Sequence, residues 1–403
     1  MLKNSVVFIL SNAKYDGLFE STSFTAAKHL AKYNQVFYIE YPATYKDYLK
    51  HKKDPDFIKR KNFFSKKSNG LLATDQSNLQ ILITPLLLSI NFLPEGFLYR
   101  LLLKYNEALI ANRIKKVLKK YKIKDFVFVN SFNIYYPNIG KLIPSALNVY
   151  HCVDPLIVGF DRRHGIVSEQ IILKNSDLVI CTSKQLFVEK QKQHPHTYFV
   201  PNAADISHSQ KVRQAETQVH PKLKDIKKPI IGYFGNIERR MDYSLLEELF
   251  KTNLDKNFVF VGPVTEEFIP PHWYKTANIH FIGRVPFAEM PSILKGFDVA
   301  IIPFKKDKVS DTIFPLKLFE YLGSGKPVVS TNFNADLKDF TRNTVNYCAD
   351  AKEFSEAIND ALMNDNLEKQ NDRIAVAEEN TWEKRMKEFS NLLDQYLKLN
   401  THQ

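Results

Sequence analysis

The chain has 403 residues, of which 44% are apolar, 13% aromatic and 25% charged. That length holds more than one hydrophobic core, and the composition excludes a disordered, collagen-like or disulfide-scaffold protein. The formal net charge is +12; the three cysteines, Cys152, Cys181 and Cys348, are far apart and odd in number, which argues against a disulfide framework or zinc knuckle and fits a reducing compartment.

The first apolar run, Val6 to Leu10, is too short for a secretory signal. No stretch reaches the roughly 18 apolar residues of a spanning helix. The nearest, Ile81 to Leu93, is interrupted by Pro85. A cytoplasmic protein is expected. Continuous apolar runs predict strands at Val6–Leu10, Gln35–Glu40, Leu79–Thr84, Phe126–Asn130, Leu147–Cys152, Leu178–Cys181 and Tyr198–Val200. Helices are expected at Thr22–Lys32, at about Phe97–Tyr121, and near Ile166–Lys174 and Lys184–Gln193. Strands without polar alternation fit a parallel sheet covered by helices on both faces.

Between Lys46 and Lys67, nine Lys or Arg residues face three Asp, about half of the excess charge. Tyr45, Tyr48, Phe57, Phe63 and Phe64 are interleaved with them. The pattern suits an anionic membrane surface or a nucleic acid; its plain alternative is a solvated loop. Residues 202–228 are polar, without apolar period, and read as the start of a domain linker. The alternation then resumes. Strands are expected at Pro229–Phe234, Phe258–Val261, Ile279–Ile282, Val299–Pro303 and Pro327–Thr331. Helices fall near Tyr243–Lys251, Phe287–Lys295, Pro315–Leu322 and about Trp382–Leu399. Two successive βα arrays imply two doubly wound domains, with ligands beyond the carboxyl ends of the strands.

The segment from Ser310 to Thr331 reads SDTIFPLKLFEYLGSGKPVVST. Pro315 suits a first helical turn, and Gly323 and Gly325 suit its end. Lys317 and Glu320, three apart, share a helix face. A lysine in the first turn opposes the helix dipole unless an anion such as a diphosphate sits before the helix. Glu320 is then placed to accept hydrogen bonds from a vicinal diol such as ribose. The plain alternative is a surface lysine and a helical ion-pair partner.

This run resembles the donor-site motif of bacterial GT-B glycosyltransferases near glycosyltransferase family 4: Pro315, Lys317, Glu320, Tyr321, Gly325, Lys326, Pro327, Val328 and Val329 match it. The resemblance implies that Glu320 holds the ribose hydroxyls and that basic groups neutralise the pyrophosphate. The family's commonest form has a glutamate where Thr312 stands, so that residue's role does not carry over. IIGYFGNIERRMD, Ile230 to Asp242, resembles the donor domain's first strand, turn and helix; it implies donor contacts from Gly235, Arg240 and, second, Arg239. The plain alternative for Arg240 is a solvated helix-entry charge. In NIHFIGRVPFAEMP, Asn278 to Pro291, the resemblance puts Gly283, Arg284 and Val285 near the nucleobase.

VYHCVDP, NSDLVICTS and VPNAAD follow in the family's order in the first half, with Ala203 in place of a glycine. Asp154, just past a strand end, is the candidate general base for an acceptor hydroxyl. His151 and Asp16 are its rivals, and a turn residue before Pro155 is the plain alternative. Asp54-Pro55-Asp56 has the Asp-x-Asp spacing of metal-binding transferases but lies in the basic segment and not at a strand end, and His194-Pro195-His196 lacks partners at ligand spacing, so no metal site is expected.

The resemblance therefore implies an α/β protein of the GT-B fold, two Rossmann-like doubly wound domains facing across a cleft. Residues 1–203 would bind the acceptor and 204–380 the donor, with a helix over 381–403 crossing back to the first domain. The implied activity is hexosyl transfer from a UDP- or GDP-sugar to a hydroxyl of a glycan or lipid-linked acceptor in cell-surface polysaccharide synthesis. No cofactor and no nucleic-acid partner are implied. Residues 46–67 and Leu86–Phe92 would touch the cytoplasmic face of an anionic inner membrane. The alternative is a non-catalytic GT-B protein that binds a nucleotide or a partner.

Overall fold

The computed structural model describes residues 1–17, 21–156 and 159–401, with backbone alone at 160, 161, 312 and 401, so the side chain of Thr312 lies outside the described residues. It divides into two compact units, one of Met1–Pro201 with Arg385–Gln403, the other of Asn202–Lys384. Both are parallel-dominated α/β units.

The first unit holds eight strands: β1 Val6–Ser11, β2 Gln35–Ile39, β3 Leu71–Ala73, β4 Leu79–Leu82, β5 Val127–Ser131, β6 Leu147–Cys152, β7 Leu178–Cys181 and β8 Thr197–Phe199. Their order is β3-β4-β2-β1-β5-β6-β7-β8, and only the β3–β4 pair is antiparallel. Leu10 of β1 sits between Ile39 and Asn130 in register. Phe8 stacks on Phe37 at 4.7 Å and meets the edge of Phe126 at 5.3 Å, filling the layer between the sheet and the helix Phe97–Tyr121. Helix Trp382–Thr401 contributes to this unit from Arg385 onward. Its Ser390 Oγ accepts from Leu2 N at 3.0 Å, and its Tyr396 hydroxyl lies 2.8 Å from that of Tyr198.

Residues 46–67 are not a solvated loop. Thr44 and Asp47 form a capping box on helix Tyr45–His51, and Pro55 opens a second helix, Pro55–Arg60. Helices of seven and six residues carry too little periodicity to stand out among lysines. Phe57 and Arg60 are buried, and Arg60 grips Glu40 with two bonds of 2.6 and 2.8 Å. Leu87 and Ile90 are also core, packed in the cluster with Tyr99 and Leu103. Within Leu86–Phe92, Leu87 and Ile90 therefore face the interior, and Phe92 is exposed.

The second unit is a six-stranded, wholly parallel sheet of β9 Ile230–Phe234, β10 Asn257–Val261, β11 Ile279–Gly283, β12 Val299–Ile302, β13 Val328–Thr331 and β14 Val345–Cys348. The order β11-β10-β9-β12-β13-β14 reverses direction between β9 and β12. A crevice beyond the carboxyl ends at such a reversal is where this architecture places ligands. Residues 202–228 belong to this unit and are no linker. Ile206, Val212 and Leu223 enter its core from one short α-helix and two 3-10 turns, each too short to show a period. Two further helices, Ala351–Asn364 and Leu367–Glu379, lie beyond β14, capped by Asp350 and Asn366.

Candidate functional site

The reversal point of the second sheet is built from glycines and aromatics. Beyond β9 the chain turns at Gly235, whose φ is +148° and whose N–H donates to Val261 O at 2.8 Å. Beyond β10 it turns at Gly262, with φ +145°, whose N–H donates to Gly283 O at 2.9 Å. Both conformations are essentially restricted to glycine. A side chain on Gly262 would strike the carbonyl of Gly235, and one on Gly235 would strike the Lys317 ammonium. Glycine here admits close backbone approach and leaves room for a ligand.

Helix Leu316–Gly323 starts beside this turn with Pro315 at its N-cap. Lys317 reaches back so that Nζ donates to the Tyr233 hydroxyl at 2.5 Å. It lies 4.0 Å from the Tyr233 ring centroid and 5.2 Å from that of Phe304. Among the described residues Lys317 has no carboxylate partner. Burial, with the nearby Arg240 charge adding to it, pushes this lysine down to about 7. Burial lifts the Glu320 carboxyl to about 7, against the pull of Lys317 and with a push from Asp205. Among the described residues the Glu320 carboxylate has no hydrogen-bond partner. An unpaired cation and an unpaired carboxylate on one helix face are costly as they stand and are suited to a ligand that supplies the missing partners.

Arg240 is bonded to Glu238 and lies 5.7 Å from the Phe304 ring. Its backbone carbonyl accepts from Lys305 N at 2.8 Å, and Asp242 N donates to Pro303 O at 2.8 Å. These bonds fix the turn after β9 to the chain following β12. The Tyr321 hydroxyl accepts from Phe234 N at 2.7 Å and donates to Phe234 O at 3.2 Å, clamping the end of β9 to the helix.

The structure thus brings Gly235, Arg240 and Lys317 together, with Pro315 at the helix entry and Glu320 one turn on. Gly283 joins through its bond to Gly262, Val285 is buried, and Arg239 and Arg284 are exposed. Tyr233, Phe304 and Gly262 were missed by the sequence reading. The signal for Gly262 was available, as a Val-Gly-Pro end to the predicted strand.

None of the three candidate bases in the first unit is without a partner. Asp16 pairs with Arg60 and, at 3.2 Å, with Lys59. Burial pulls its pKa up, but the two cations outweigh it and hold the carboxyl below its ordinary value, which makes it a weak proton acceptor. His151 lies inside β6 at 2% exposure, its Nδ1 2.9 Å from Ser131 Oγ, and burial pushes it down to about 4. Asp154 stands exposed on the loop after β6. Asp54 and Asp56 are bonded to His51 and Lys14, and among the described residues no His, Cys, Asp and Glu group of metal-binding size occurs.

Residues 228–364, which hold every part of this crevice, match the family model for glycosyl transferases group 1. This segment is a group 1 glycosyl transferase domain. Its neighbours by sequence include the Bacillus subtilis (strain 168) glycosyltransferase TuaH, named for teichuronic acid biosynthesis, at 27% identity over 219 residues. That alignment covers 50% of this chain and 55% of TuaH, so the chain matches about half of that relative's length.

Across the whole chain the fold is GT-B. A sucrose-phosphate synthase from Thermosynechococcus elongatus superposes with a TM-score of 0.64 at 14% identity, covering 97% of this chain and 99% of its own. Anabaena HepE in complex with UDP gives 0.63 at 11%, covering 97% and 100%. A glycosyltransferase from Rickettsia africae gives 0.64 at 12%, covering 98% and 100%. At these identities the likeness establishes the fold of the group 1 domain and of the unit that precedes it.

Proposed function

We propose that this protein is a nucleotide-sugar-dependent glycosyltransferase that moves a hexosyl group from a UDP-sugar to a hydroxyl of a glycan or lipid-linked acceptor in cell-surface polysaccharide synthesis. The observation that carries the donor half is Lys317, a half-buried side chain whose ammonium rests on an aromatic shelf and, among the described residues, has no carboxylate partner. Lys317 and Arg240 face the diphosphate, whose departure as a leaving group they stabilise, and Glu320 accepts from the ribose hydroxyls. Gly235 and Gly262 let the backbone approach the phosphates. The TuaH name supports the choice of acceptor class, and the UDP complex of HepE supports the choice of a uridine nucleotide. A thermal-shift and calorimetric screen of UDP-, GDP-, ADP- and dTDP-sugars tests the reading. Stabilisation by a UDP-sugar is expected, and no response to any of the four overturns it.

Binding is expected to be linked to protons. An anion beside Lys317 favours the charged lysine, so its pKa rises in the complex. Affinity for UDP is then fully present below about pH 7 and falls as the pH rises through 7 toward the bound pKa. At pH 8 Glu320 is already mostly ionised, so the uptake reports on the lysine. Calorimetry there, in buffers of different ionisation enthalpy, should find roughly 0.5–1 proton taken up per UDP, and close to none in Lys317→Met. Equal uptake in both proteins would remove Lys317 from the phosphate site.

Turnover is expected to persist in excess EDTA, because Lys317 and Arg240 already supply positive charge at the leaving diphosphate. Complete loss with rescue by Mg²⁺ or Mn²⁺ would contradict that role for the two side chains.

A further inference from the structure

The first unit carries an exposed apolar and basic face that lies outside the crevice described above. It lies on the 25-residue helix Phe97–Tyr121. One side of this helix is core, with Ile110, Ile114 and Val117 fully buried. The other side runs through Phe97, Leu101, Lys104, Ala108, Asn112, Lys115 and Lys119 at spacings of three and four, with Leu98 beside it, all exposed. Phe97 is 85% exposed and Leu98 56%, and the neighbouring Phe92 is 71% exposed. No Asp or Glu stands on this face. The helix's one acid, Glu107, is buried and accepts from Asn138 N at 2.7 Å.

The basic segment adjoins the same face. Lys66 Nζ donates to the Tyr105 hydroxyl at 3.1 Å, and Lys116 is bonded to the Lys66 carbonyl. Helix Tyr45–His51 joins through Tyr45 N, which donates to Leu87 O at 2.9 Å, and adds Leu49 at 69% exposure. The carboxylates in that neighbourhood are occupied: Asp54 by His51, Asp56 by Lys14, and Glu95 by Arg100 and His164.

Large apolar side chains this exposed mark an interaction surface. A nucleic acid would use the lysines and leave Phe97, Leu98 and Leu101 in water. The core of a protein interface is depleted in lysine. A bilayer surface uses both halves, apolar groups entering the acyl boundary and cations meeting the headgroup phosphates. We propose that this face docks on an anionic lipid bilayer, with Phe92, Phe97, Leu98 and Leu101 inserted and Lys104, Lys115 and Lys119 against the phosphates. The membrane contact thus sits on the long helix and takes from the Leu86–Phe92 stretch its exposed last residue, Phe92. It stands independently of the donor reading, since none of its residues belongs to the second unit.

The test is co-sedimentation of the full chain with phosphatidylcholine vesicles, with and without about a third phosphatidylglycerol, at low and high salt. Binding to the anionic vesicles is expected, reduced but not abolished by salt, because the apolar part is not screened. Phe97→Asp with Leu101→Asp should lower the partition coefficient at least tenfold, and so should Lys104→Glu with Lys115→Glu and Lys119→Glu. Both variants should keep the wild-type melting temperature and UDP affinity. Failure of the wild type to bind anionic vesicles overturns the proposal, as does undiminished binding by both variants. Loss of a dimer in sedimentation velocity on the same substitutions, without change in vesicle binding, would assign the face to a second copy of the chain and overturn it too. A failed donor reading would show instead as absent UDP binding with vesicle binding intact.

Discussion

Lys317→Met is expected to lower sugar-transfer turnover by about 10²–10³-fold, the usual consequence of removing one preorganised group from a developing negative charge. The same substitution should leave the fold as stable as before, or more stable. In the ligand-free protein the side chain is half-buried, desolvation disfavours its charged form enough to bring the pKa to about 7, and the ammonium donates to the Tyr233 hydroxyl. Methionine keeps most of the aliphatic stem over the Tyr233 ring and removes that desolvation cost. A residue whose replacement raises the melting temperature while removing activity is one retained for a ligand and not for the fold. Glu320→Gln is the companion measurement. It keeps the shape but weakens acceptance from a diol, and roughly tenfold weaker UDP-sugar binding is expected from the loss of a charge-assisted bond. Turnover and melting temperature must be read on one preparation. Unchanged turnover in folded Lys317→Met would remove the diphosphate from this crevice.

How far the sequence could be read depended on whether the signal was local. The strands of both sheets were legible because parallel strands covered on both faces are mostly unbroken apolar runs, as β7 shows with Leu178, Val179, Ile180 and Cys181 all buried. The edge strands β3 and β14 were not: β3 has three residues with Ala73 exposed, and in β14 Asn346 is exposed and Tyr347 only half-buried. Lys317 stood out because a cation in a first helical turn contradicts the helix dipole, a conflict visible within four residues. The pairing of Asp16 was hidden for the opposite reason. Its partner Arg60 is 44 residues away and arrives on a helix too short to show a period. Tyr233 and Gly262 needed the register of β9 against β10, in which Phe234 pairs with Val261, before their side chains or lack of them could be placed beside Gly235. The lipid-facing surface needed the burial of the long helix, because the sequence shows Phe97, Leu98 and Leu101 as ordinary core candidates.

That register also sets the largest expected effect on stability. Gly262→Ala is expected to destabilise the second unit by about 2–6 kcal/mol, the sum of a backbone conformation that alanine tolerates poorly and an overpacked contact. The new Cβ would stand 2.7 Å from the carbonyl carbon of Gly235, and the obstacle is backbone, not a side chain that can swing away. Relief requires moving the Gly235 turn, which is held by its N–H bond to Val261 O at 2.8 Å and by the clamp of Tyr321 on Phe234. Donor affinity should therefore fall in whatever fraction remains folded. Gly283→Ala is the control. Its φ is +76°, also unfavourable for alanine, but nothing lies within 4 Å of the added carbon, so a cost of only about 1–2 kcal/mol is expected. Thermal unfolding followed with and without UDP separates the two cases, a fall of more than about 5 °C being expected for Gly262→Ala. Equal losses for the two variants would mean that backbone conformation alone sets the cost and that the approach of Gly262 to Gly235 plays no part in shaping the site.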